Sequence, residues 1–66
     1  MMKIYRVAAQ DLNNTKVLNF NTYENAYNWV MADTWYFEKA IFEIEFEVTE
    51  NGIIKEKNNQ KVFEKN

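Results

Sequence analysis

The stretch Lys39-Ala40-Ile41-Phe42-Glu43-Ile44-Glu45-Phe46-Glu47-Val48-Thr49 decides the fold. Phe42, Ile44, Phe46 and Val48 alternate with Glu43, Glu45 and Glu47. A period of two belongs to a strand with one dry face and one wet face. Such a strand needs neighbours at its sides and a single layer packed on its dry side. The alternation predicts that the Phe42–Val48 side lies under that layer and that the three glutamates point into water.

Immediately after it, Glu50-Asn51-Gly52 reads as a hairpin turn. A two-residue Asn-Gly loop would set Val48 against Lys55 and Phe46 against Lys57, burying lysines among core residues. A three-residue loop with Gly52 in the left-handed region shifts the register by one. Val48 then meets Ile54, and Glu47 and Glu45 meet Lys55 and Lys57, where opposite charges favour pairing. The three-residue loop is the better match, although it sets Glu56 against Phe46. Asn58-Asn59-Gln60 is a second turn signal. Beyond it, Lys61-Val62-Phe63 reads either as a short edge strand or as a tail, so 58–66 is the least structured part of the expected 1–66 domain.

Working toward the N-terminus, Tyr23, Ala26, Tyr27, Val30, Met31 and Thr34 recur at helical spacing and form one face. Asn21 and Glu24 have the spacing of a capping box, with Asn in the place of Ser or Thr. The helix is expected to run to about Thr34 or Tyr36. Lys3–Ala9 and Lys16–Phe20 are rich in β-branched and aromatic residues and read as strands. The Asp11-Leu12-Asn13-Asn14-Thr15 cluster between them reads as a turn, because Asp and Asn side chains bond their own backbone. The expected architecture is α+β in the order strand, strand, helix, strand, strand, one antiparallel sheet with one helix on one face.

Composition excludes more chemistry than it suggests. The chain is 66 residues long and contains no Cys, no His and no Ser, and its single Gly is Gly52. Thiolate nucleophiles, disulfides, Cys- or His-based metal sites and serine triads are therefore absent. One glycine cannot form a glycine-rich phosphate loop, which needs several positions free of side chains. A formal charge of −2 and a pI of ≈ 5.0 argue against nucleic acid as a direct partner. Arg6 is the only Arg. No stretch reaches the about 18 apolar residues of a membrane span. Met1-Met2-Lys3-Ile4 leads into strand-like sequence without a signal peptide's apolar core, so a cytoplasmic location is expected. Asn, Lys, Ile, Tyr and Phe, whose codons are rich in A and T, make up close to half the chain, an association with phage or other AT-rich genomes.

Two surfaces stand out as candidate protein interfaces. The first is aromatic. With Tyr23 at zero and about 100° per residue, Tyr23, Ala26, Tyr27, Val30 and Phe37 share the core side of the helix. Trp29, Ala32 and Tyr36 fall on the opposite side, and Trp35 lies beside them. Trp and Tyr are enriched in binding hot spots, so Trp29, Ala32, Trp35 and Tyr36 form one expected patch. The alternative is that Trp35, Tyr36 and Phe37 fold back over the open end of the core. The second surface is the acidic row Glu43, Glu45 and Glu47, spaced about 6.5–7 Å per two residues. That spacing is near the scale of phosphate spacing and too wide to clasp one ion without help.

No catalytic, cofactor or metal residues are expected, and an enzyme is not expected. The sequence points instead to a small protein-binding module, an inhibitor encoded by a phage or mobile element (anti-defence, for example anti-CRISPR) that occupies a site on a host protein. The alternatives are a homodimeric structural or regulatory protein and, more weakly, an acidic nucleic-acid mimic.

Overall fold

Two hairpins joined through a helix account for every regular element of the computed structural model, which describes residues 2–66. Met1 of the expected 1–66 domain lies outside these residues. The elements are β1 (Met2–Gln10), β2 (Thr15–Phe20), α1 (Tyr23–Ala32), β3 (Glu38–Val48) and β4 (Ile54–Lys65). They form one four-stranded sheet in the order β2-β1-β3-β4, with every neighbouring pair antiparallel. The α+β class and the expected element order are therefore those of the protein. β2 and β3 run parallel on either side of β1, and such a pair cannot be joined by a tight turn. Helix α1 makes that crossover.

The helix covers the opposite side of β3 from the one its alternation predicts. The core cluster is Val7 and Ala9 of β1, Ile41 of β3, and Ala26 and Val30 of α1, all fully buried. Val7 pairs with Ile41 and Tyr5 with Glu43 in an unbroken β1–β3 register. Side chains two apart share a face, so Ile41, Glu43, Glu45 and Glu47 lie on the helix side. Phe42, Ile44, Phe46 and Val48 lie on the other, which no element among the described residues covers. The physical reason is the first half of the strand. Ala40-Ile41-Phe42 is apolar on both faces, and Ile41 meets Val7, Ala26 and Val30. That contact fixes the side, and the residues beyond it follow by alternation. The molecule measures 42 × 25 × 14 Å, and its least dimension holds a sheet and one helix layer only.

The helix begins one residue later than the capping-box spacing predicts. Thr22, extended at φ −135° and ψ 152°, is the N-cap, and its hydroxyl accepts from the Asn25 backbone N–H at 3.2 Å. Asn21 instead accepts from the Asn25 side-chain amide at 3.4 Å. The helix also ends earlier than Thr34. At Asp33 the backbone turns extended, and its carbonyl and carboxylate accept from the Lys39 ammonium at 2.7 and 3.1 Å. The Asp33 carboxylate also accepts from the Tyr36 N–H at 3.0 Å. Continuing the helix would cost this network, whose Lys39 is 4% exposed on β3. Burial pushes the Asp33 carboxyl up, but the Tyr36 N–H and the Lys39 ammonium outweigh it and hold the group below its ordinary value.

The Gly52 hairpin follows the three-residue expectation. Gly52 has φ +77°, its N–H donates to the Thr49 carbonyl at 2.9 Å, and the Thr49 N–H donates to the Ile53 carbonyl at 2.9 Å. Val48 pairs with Ile54, Glu47 with Lys55 and Phe46 with Glu56. Glu45 meets Asn58, not Lys57, because Lys57 is skipped as a bulge. A second bulge skips Val62. The expected turn at Asn58-Asn59-Gln60 does not form. These residues stay in β4, which runs unbroken to Lys65, so 58–65 of that segment is edge strand and not tail. Bulges and lysines are the usual protections of an exposed edge.

Candidate functional site

The β1–β2 turn is built by Asp11. Its carboxylate accepts from the backbone N–H groups of Asn13 at 2.9 Å and Asn14 at 2.7 Å, and its own N–H donates to the Asn14 carbonyl at 2.9 Å. These donors hold the Asp11 carboxyl below its ordinary value, with a smaller contribution from the Trp35 indole. A turn tied so tightly presents Leu12 at its tip, where it is 89% exposed. Across from it runs the segment between α1 and β3. Asp33 anchors that segment through Tyr36, which turns Tyr36 inward against the core. Trp35 and Phe37, on either side of Tyr36, point outward at 76% and 52% exposure. Leu12, Trp35 and Phe37 with Asp11 and Asn13 line a shallow notch of ≈ 360 Å³ at this end of the molecule.

The structure divides the expected aromatic patch. Trp29 was expected to face away from the sheet; it is half-buried and packs on the core, its ring 6.4 Å from that of Tyr36. The reason is the early end of the helix. Tyr36 no longer continues the helical wheel but folds back beneath Trp29, closing the end of the core. Ala32 is exposed as the last helical residue. Trp35 alone of the expected four joins an exposed apolar cluster. Phe37, expected on the core side of a longer helix, belongs to that cluster instead. Leu12 went unremarked among the candidates, and a signal for it was present: it is the one apolar residue in a turn of Asp, Asn and Thr.

The acidic row is not the freely solvated strip its spacing predicts. Glu43 is half-buried beside α1, accepts from the Tyr5 hydroxyl at 3.2 Å and lies 3.6 Å from the Lys3 ammonium. Tyr5 in turn meets Tyr23 edge-on at 5.9 Å. Burial and the bond to Glu43 push the Tyr5 hydroxyl above its ordinary value. Glu45 is half-buried, while Glu47, opposite Lys55, is exposed. Among the described residues no three acidic side chains converge as metal ligands would, and no helix is long and apolar enough to cross a membrane. Compared with protein-family models, curated proteins and solved structures, the chain matches none.

Proposed function

We propose that this chain is a small protein-binding module without catalysis, and that it docks through the Leu12–Trp35–Phe37 notch. The observation that carries this reading is Trp35 at 76% exposure beside an 89% exposed Leu12, both on backbone held rigid by Asp11 and Asp33. Large apolar side chains on a pre-ordered frame lose little freedom on binding, which is the usual character of a hot spot. The carboxylate of Asp11 and the Asn13 amide give the notch a polar rim. Small size, the missing catalytic residue types and the AT-rich composition support the finer proposal. On it, the module is an inhibitor of phage or mobile-element origin that acts in the cytoplasm by occupying a site on a host defence protein.

The test is a comparative capture from host lysate with three forms of the chain. A partner held by wild type should be lost with Trp35→Ala and with Leu12→Asp. It should be retained with the triple change of Glu43, Glu45 and Glu47 to Gln. Loss on the glutamine form with retention on the Trp35 form would move the function to the acidic row and favour a mimic of nucleic-acid phosphates.

A further inference from the structure

We propose that the helix-free face of the sheet seats a second copy of this chain, giving a homodimer of two sheets stacked face to face with their strands antiparallel. The centre of that face is Ile44, fully buried although no layer covers it, with Ile4 beside it across the β1–β3 pair. Phe42 and Phe46 flank it along β3 and remain partly exposed. At one end of the face the side chains are large: Val48 is 62% and Ile54 58% exposed. At the other, Ala8 and Ala40 floor a groove of ≈ 190 Å³ walled by Phe42, Gln10, Lys61 and Glu64. A two-fold axis lying across the strands at Ile44 turns one copy end for end over the other. It brings Val48 of each copy over Ala40 of its mate, and Ile54 over the aliphatic stem of Glu64, so knob meets hollow twice.

Charge independently selects the same axis. Lys61 pairs with Phe42 and Glu56 with Phe46 on β4, so they stand on this face at equal distances either side of Ile44. The transverse axis sets Lys61 of one copy against Glu56 of the other. An axis along the strands would set Lys61 against Arg6 instead. In the single chain Lys61 has only an exposed contact of 3.5 Å to Glu64, which it can give up. Under this axis β3 and β4 overlap their counterparts along about 26 Å and β1 only over Met2–Arg6, which outlines about 300 Å² per copy. That gives about 600 Å² for the pair, the size of a weak, concentration-dependent contact.

Sedimentation equilibrium over a concentration series tests this directly. Wild type should approach twice 8.0 kDa as the concentration rises toward millimolar. Lys61→Glu and Glu56→Lys should each raise the dimer dissociation constant about tenfold or more, and the combined swap should return it to within about threefold of wild type. Both positions are exposed, so circular dichroism should be unchanged. Leu12→Asp should leave the dimer intact, so this proposal and the notch fail separately. A wild-type monomer at millimolar concentration would overturn it. So would a dimer indifferent to both single swaps, which would place the contact on an edge strand or on the aromatic end.

Discussion

Lys39 and Asp33 show how one polar pair decides where a helix stops. The pair is nearly sealed, with side-chain exposures of 3% and 14% at 3.1 Å. Removing one partner of such a pair leaves the other buried and uncompensated. Asp33→Asn and Lys39→Met should therefore each destabilise the protein by about 3 kcal/mol in urea unfolding at neutral pH. Because the Asp33 carboxyl is held below its ordinary value, its contribution is complete above the unfolded pKa of about 3.9. It is lost as pH falls through the lower folded value, so the Asp33→Asn penalty should shrink across that range. Gly52 makes a different residue-scale demand. At φ +77° an alanine Cβ meets nothing within 4 Å. Gly52→Ala should thus cost about 1 kcal/mol through backbone strain alone, a value set by the left-handed conformation and not by a clash.

At the scale of elements, the sequence made the four strands, the helix and the Gly52 loop legible, because each rests on local chemistry. It did not make legible the side of β3 that the helix covers. Six residues from Phe42 to Glu47 point one way, yet Ile41 outweighs them, since its partners Val7, Ala26 and Val30 come from distant segments. The same separation hid the ends of α1. Asn21 and Thr22 are both good caps, and only the chain's exit from β2 selects Thr22. Thr22→Ala should cost about 1 kcal/mol of stability, while Asn21→Ala should stay within about 0.5 kcal/mol, which thermal or urea unfolding resolves. In β4, Asn58-Asn59-Gln60 has turn composition but is held in the strand by pairing with Glu45, Ile44 and Glu43. Two bulges absorb the mismatch.

Over the whole molecule, one helix on a four-stranded sheet leaves two apolar surfaces uncovered, the notch at the end and the bare face of the sheet. The candidate site was half legible. Trp35 could be singled out from composition, but its separation from Trp29 depends on the helix stopping at Ala32, which Lys39 imposes from another element. The two tryptophans should therefore separate in experiment. Trp29→Ala should destabilise by about 2 kcal/mol, since the ring packs on the core together with Tyr36. Trp35→Ala should change stability by less than about 0.5 kcal/mol, as exposed sites do. Both surfaces follow from the helix lying on the glutamate side of β3, and methyl and aromatic nuclear Overhauser contacts in solution measure that most directly. Ile41 should show contacts to Ala26 and Val30, the Tyr23 ring to Tyr5, and the Tyr27 ring to Phe63. Phe42 and Ile44 should show none to the helix. Contacts from Phe42 or Ile44 to Ala26 or Val30 would place the helix on the other side of the sheet and contradict the account.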